Sequence, residues 1–554
     1  MKPIFNPATE YSTVQQCLLT SVDATKKLNQ QYTFVTFDLA MAKIAYNIIW
    51  NSPETFGGVV VNLGGFHTMC AYMAALGRMM TGSGFEELLI EARLCAGGSV
   101  MQVMNGKHFN RAVKVHHHML DAINRLTLDA FLDSSDCAVA RCDEMKALAE
   151  NPSSETLCSL LRVEGLDDFL KSLNSFWNRI RDGEMGKIAQ FWTLYTDCVL
   201  ILLRFLRSMK ENNLPEYIRS LRHLCPLMFS SDRQNYARYL TLHYTQMSTL
   251  AQSHPGAEVL LRDFAISVAR SQIPACQVPL DMTIEPTLNR SAKTAGGLVG
   301  FTRNTGAYQR WCLTRHERAA FLAAVSEQTD INTDSSNSHK SCTTADMQTS
   351  KAEVKRLKAA FDSFCNPFKP SQTSADSLYC ISSGYSVSAE VEHDLLTYVK
   401  SGETATQSFI ADRIASKQKK LKLKNFEHMS VKKTLTSSKQ KTVRVTAERN
   451  ILGHLLTAGK GQDVDFYKLF AYPLNPVPWS LVKTDKAQLL HAMEAGTDTY
   501  HKSPHELPFN CAVVVDGNAM LQSMSRLPDT FGEFALCALK CLPKAQTVHF
   551  VTDS

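Results

Sequence analysis

The chain has 554 residues, 44% of them apolar, and a formal net charge of +6. At roughly 150 residues per domain this length suits two to four domains, with packed cores over most of it. The 16 cysteines are scattered, with no CxxC pair, and neither Cys137 with Cys142 nor Cys537 with Cys541 has a second pair at zinc-site distance; this excludes a zinc ribbon and favours reduced thiols over a disulfide framework.

In chain order, Tyr11 to Gln31 reads as a helix and Tyr32 to Phe37 as a strand ending at Asp38. Leu39 to Trp50 follows as a helix with Ala40, Ile44, Ala45, Ile48 and Ile49 on its inner face. The stretch Gly57 to Ala92 repeats the pattern and forms the centre of the first domain. Val59, Val60 and Val61 make a short β-branched strand, and Gly64-Gly65 turns the backbone. A helix then carries Phe66, Met69, Tyr72, Met73, Leu76 and Met80 on one stripe. Gly82-Ser83-Gly84 ends it before a short helix over Phe85 to Ala92. Two strand–helix units in succession predict a small parallel sheet flanked by helices.

Helices dominate from Gly106 to Arg270: Phe109 to Leu132, Leu170 to Trp177, Ile188 to Met209, Pro215 to Leu227 and Asp232 to Thr249. Ile188 to Leu206 is the longest apolar helix candidate. Asp197 and Arg204 within it are costly in lipid, so it reads as a core helix with no membrane partner. The N-terminal MKPIFNPATEYSTVQQ lacks an apolar core of signal-peptide length, and a nuclear or cytoplasmic location is expected. Asp281 to Arg318 is polar and glycine-marked. Residues 326–350 turn to Ser, Thr, Asn and Asp and read as a flexible linker. Ala352 to Phe368 reads as a helix, and Val391 to Ala415 as one broken at Ser401-Gly402. Prolines 473, 476 and 478 enforce an extended entry to the last segment. There Cys511 to Asp516 is a strand, Thr530 to Leu542 a helix, and Thr547 to Thr552 a strand followed by Asp553. The predicted organisation is a helix-rich α/β domain over 1–325, the linker 326–350, a helical and basic, partly disordered segment over 351–462, and an incomplete α/β unit over 463–554.

Four features carry candidate chemistry. A strand, a glycine turn and a helix start place backbone N–H groups where an anion binds, and His67 lies in that first turn. It reads either as a phosphate or carboxylate contact or as a packing histidine. His116, His117 and His118 are consecutive, so they do not share a helix face and make a poor metal site. Arg233, Tyr236, Arg238, Tyr239 and His243 mix aromatic and basic groups, which suits nucleic acid and equally suits a half-buried helix with snorkelling arginines. Between Lys417 and Arg449 lysine is dense, with Lys417, Lys419, Lys420, Lys422 and Lys424 in one run; such a segment attracts phosphate, or is a solvated charged face.

Asp516 and Asp553 each follow a strand. In a parallel sheet both carboxylates reach one edge, a standard way to hold Mg²⁺ or Mn²⁺ for phosphodiester hydrolysis, although strand-end aspartates also cap turns. VVVDGNAM, VHFVTDS and the upstream YPLNPVPWSL resemble the start of a PIN-like nuclease domain found in transposon-associated animal proteins. The resemblance implies Asp516 and Asp553 as metal ligands and further acidic motifs beyond this sequence. LGGFHTMCAYMAALGRMMTGSG, NGKHFNRAVKVHHHMLDA and IEPTLNRSAKTAGGLVGFTRN are similar to a domain of unknown function in the same group. RNase H-like transposases place acids after two strands and on a late helix. Asp38 and Glu285 fit the first and last places, but Gly64-Gly65 stands where the second acid is wanted, leaving Asp38 a helix cap and Glu285 a surface or packing carboxylate. The expected function is a mobile-element-derived, nuclease-like protein, catalytically incomplete, that binds DNA or RNA through backbone charge; the rival is a non-catalytic helical interaction scaffold.

Overall fold

The computed structural model describes residues 4, 6–134, 166–264, 266–269, 275–285, 306, 310, 314–328, 343–369, 377–412, 421, 423–429, 432–436, 442–446, 512–516, 520, 530–542 and 547–551. The protein is mostly helical, with sheets of two strands each, and divides into units Met1–Tyr472 and Pro473–Ser554.

In the first unit, α1 (Tyr11–Lys27) precedes β1 (Thr33–Phe37), α2 (Leu39–Asn51), β2 (Val59–Leu63) and α3 (Gly65–Met80). β1 and β2 pair in parallel, Phe37 opposite Leu63. Every residue of β2 is buried. Its Val61 carbonyl accepts from Tyr46 Oη at 3.4 Å, so a side chain of α2 covers a polar group of the short sheet. On α2 the buried residues are Ala42, Ala45, Tyr46 and Ile48, whereas Ala40, expected inside, is exposed. The face is turned because Tyr46 is drawn inward by its hydroxyl contact. α3 is buried nearly all round rather than on one stripe, as a central helix is.

After α3 come α4 (Phe85–Glu91), α5 (Gly97–Met104), α6 (Phe109–Leu132), α7 (Leu166–Arg181), α8 (Lys187–Lys210), α9 (Leu214–Ser230) and α10 (Gln234–Ser248), of which α5, α6, α8 and α9 pack on α3. α8 is long and apolar enough to cross a membrane by length and composition. Here Phe191, Trp192, Tyr195, Val199 and Leu202 are buried in the core, and Asp197 is paired with Arg181 at 2.8 Å. Tyr72 of α3 donates to the Cys198 carbonyl of α8 at 3.1 Å.

The linker expected over 326–350 is in part helical. A helix over Arg315–Gln328 runs into its start, and α12 (Thr344–Phe364) begins within it. Thr343 caps α12 by accepting from the Asp346 N–H at 3.2 Å, a start signal that window composition hides. α12 also joins the core of the preceding residues. Phe361 meets Trp192 edge-on at 5.1 Å, Arg356 Nε donates to the Ala92 carbonyl at 2.8 Å, and Lys114 pairs with Glu353 at 3.2 Å. α12 thus packs with the earlier helices inside the unit Met1–Tyr472. α13 (Ala389–Leu396) and α14 (Tyr398–Ala411) follow, with the break at Thr397 rather than at Ser401-Gly402. Gly402 lies inside α14, where an added Cβ would stand 2.0 Å from the Pro226 carbonyl oxygen of α9. The basic stretch includes an antiparallel hairpin of β3 (Lys432–Thr436) and β4 (Thr442–Thr446).

In the second unit β5 (Ala512–Asp516), α15 (Phe531–Cys541) and β6 (Thr547–Val551) form a parallel strand–helix–strand arrangement.

At the start of α4, Glu86 is 9% exposed, and its carboxyl accepts from the Gly82 N–H at 3.3 Å. Burial first, and then the neighbouring Glu87, push its pKa up from 4.5 to about 8. The folded state therefore holds the neutral acid. Stability linked to this group is complete below 4.5 and is lost as pH rises through about 8. Urea midpoints should show Glu86→Gln losing less stability than wild type between these limits, by on the order of 2 kcal/mol.

Candidate functional site

The parallel register brings the C-terminal ends of β1 and β2 to one edge, where ligands bind in open α/β sheets. Asp38 leaves β1 there and caps α2, accepting from the Met41 N–H at 3.0 Å. Gly64 leaves β2 there, its N–H bonded to the Phe37 carbonyl at 2.9 Å, and α3 starts at Gly65.

The first turn of α3 does meet an anion, and it is the chain's own Asp281. That residue lies on α11 (Leu280–Ile284). Its Oδ1 accepts from the Phe66 N–H at 3.0 Å, and its Oδ2 accepts from the His67 N–H at 3.0 Å. With Nδ1 protonated, the His67 imidazole donates to the same Oδ2 at 2.9 Å. A Cβ at position 64 would stand 2.3 Å from Asp281 Oδ2. Glycine is thus required there because the carboxylate fills the space of a side chain. An orphan helix start is closed by a residue 214 positions away in sequence.

The Asp281 side chain is 8% exposed and that of His67 35%. The hydrogen bond to Asp281 raises the His67 pKa above 6.5, burial opposes it, and the charges of Asp281, Glu285 and Asp38 add to the rise. Of these three carboxylates only Asp281 touches the imidazole; Asp38 and Glu285 act on it through their charge alone. The Phe66 and His67 N–H groups that would meet a phosphate are already taken by the Asp281 carboxylate. Burial, together with Asp281 and Glu285, pushes the nearby Cys70 thiol up to about 12, so it is not a thiolate nucleophile at neutral pH. Behind the dyad a small recess, with room for about one water, is lined by Thr36, Asn62, Gly65, Met209 and Tyr217, among others. Asn62 is 5% exposed, and its side-chain amide has no partner among the described residues.

Asp281 is the residue that sequence reasoning missed. The wanted second acid is absent from the end of β2 because it reaches that place from α11. The Gly64-Gly65 pair was the available signal: a strand end without side chains leaves room for one from elsewhere.

The remaining candidates are dispersed. His116 is buried on Tyr195 Oη at 2.8 Å, with its pKa lowered to about 4 by burial. His118 faces Glu353 at 3.1 Å. His243 is buried beside Tyr217 at 3.1 Å, and burial lowers its pKa to about 4, so it does not meet a polyanion; Arg238 of the same helix is exposed. Lys417, Lys419, Lys420 and Lys422 lie outside the described residues. Lys424 is engaged: its Nζ pairs with Glu390 at 2.5 Å and its N–H donates to Asp394 at 2.9 Å. Asp516 ends β5, exposed and opposite Val551, while Asp553 lies outside the described residues. Among the described residues no three His, Cys, Asp or Glu side chains converge to hold a metal ion. Asp38, His67, Asp281 and Glu285 as placed do not form a cage for Mg²⁺ or Mn²⁺.

These features define a mostly helical α/β protein whose sheet edge is closed by a histidine–aspartate pair. By family, the chain belongs to DUF8702, a domain of unknown function, whose model matches residues 3–473. The match ends where the second unit begins. No curated protein and no solved structure matches the chain.

Proposed function

We propose that the protein is a mobile-element-derived nucleic-acid-binding protein with a nuclease-like, catalytically incomplete C-terminal unit. The observation that carries the binding part is the hairpin β3–β4 within the basic stretch. Its two strands carry Lys432, Lys433 and Arg444 and no acid. A two-stranded ribbon of this charge follows a nucleic-acid backbone and carries little sequence information itself. The parallel β5–β6 pair with Asp516 at its end supports the nuclease-like part. Mg²⁺ or Mn²⁺ would be held there by Asp516 and Asp553. The turn at His67 is set apart from this role because Asp281 already occupies its helix-start N–H groups.

Filter binding against salt tests the reading. Affinity should fall steeply with salt. Replacing Lys417, Lys419, Lys420 and Lys422 by Gln should flatten the log–log slope by about 3–4. Lys424→Gln alone should leave it nearly unchanged, because Glu390 already neutralises that ammonium. No binding at low salt overturns the reading.

A further inference from the structure

The outer face of α2 and α10 holds an aromatic ladder that no part of the fold requires to end in solvent. Trp50 is 57% exposed. Its ring stacks on Tyr46 at 5.5 Å and 26°, and Tyr46 stacks on Tyr239 at 6.0 Å and 26°. Tyr46 is fixed from behind by its hydroxyl bond to Gln246 Oε1 at 3.0 Å. The exposed ring is therefore backed by a stacked and tethered neighbour.

Within the two helices the charge has one sign, and the acids Asp38 and Glu54 lie just outside the ends of α2. Leu39–Asn51 and Gln234–Ser248 contain no Asp or Glu. Lys43 lies on the same side of α2 as Tyr46 and Trp50, by helical spacing, and Arg238 beside Tyr239 is exposed. Neither cation has an ion pair among the described residues. Asn47 and Asn51 are exposed beside the ring and offer amide donors and acceptors.

We propose that this face binds single-stranded nucleic acid, a base stacking on Trp50 while Lys43 and Arg238 meet its phosphates. Stacking on an exposed ring needs an unstacked base, which a duplex does not present, and every base has a π-face, so sequence preference is weak. The inference rests on the nucleic-acid reading above and names the substrate class and a second contact surface for it.

Fluorescence anisotropy of the full chain with labelled oligothymidine and oligouridine of about 20 nucleotides, and with a duplex of equal length, tests it. Both single strands should bind more tightly than the duplex. Trp50→Ala should weaken single-strand binding about tenfold, Trp50→Phe much less. Lys43→Gln with Arg238→Gln should reduce the salt slope by about 1.4. Thermal melts of each variant should match wild type, because the replaced side chains lie at the surface. Wild-type binding that Trp50→Ala leaves intact overturns the platform while the basic-hairpin reading stands. So does an equal loss in Trp50→Phe, or a preference for duplex. No wild-type binding to any of the three probes overturns both.

Discussion

Asp281→Ala should lower the unfolding free energy by roughly 2–3 kcal/mol, less than for a fully buried ion pair because the His67 side chain is 35% exposed. The substitution leaves the Phe66 and His67 N–H groups and the His67 imidazole without their acceptor. It also empties the space beside Gly64 that the carboxylate fills. Asp281→Asn should lose less, because one amide oxygen still accepts. The pH dependence has a definite sign. The folded pKa of His67 is raised above 6.5, so its contribution is complete below 6.5 and is lost as pH rises through the folded value. Melting temperatures taken upward from that pH should fall for wild type and stay flatter for His67→Asn. An Asp281→Ala variant within about 1 kcal/mol of wild type would show that the pair does not hold the sheet edge together.

Gly77→Ala should destabilise by about 2–3 kcal/mol, although helix propensity alone favours alanine by about 1 kcal/mol. A Cβ on Gly77 would stand 1.9 Å from the Met104 carbonyl oxygen. The facing turn repeats the constraint, since Gly106 has φ +68° and its Cβ would stand 2.1 Å from the Cys70 carbonyl oxygen. α3 and the 104–106 turn therefore meet backbone to backbone, and neither carbonyl oxygen can swing aside. Steric overlap outweighs propensity here. Gly97→Ala is the control: it starts α5 with nothing within 4 Å of an added Cβ, so its urea midpoint should be unchanged or slightly raised.

These contacts also mark where sequence reading succeeds. Local signals placed the two strand–helix units, and Phe109–Leu132 matches its expected bounds. Periodicity and glycine punctuation act over a few residues and survive folding. The errors arose where packing overrides local preference. Gly402 reads as a breaker, yet it continues α14 because only glycine fits against the Pro226 carbonyl. The polar 326–350 window reads as a linker, yet Thr343 starts a helix inside it. At the candidate site, the helix start and His67 were legible, and the identity of the anion was not. No short-range rule joins position 67 to position 281.

The docking of α12 on α6, and of α14 on α9, has a consequence for biosynthesis. A nascent chain paused near residue 325 has made Trp192 and Phe229 but not the rings that pack on them. Those emerge only with Phe361 and Phe409. The ribosome must complete nearly three-quarters of the polypeptide before the largest domain can close, which leaves its unfinished core exposed to chaperones throughout.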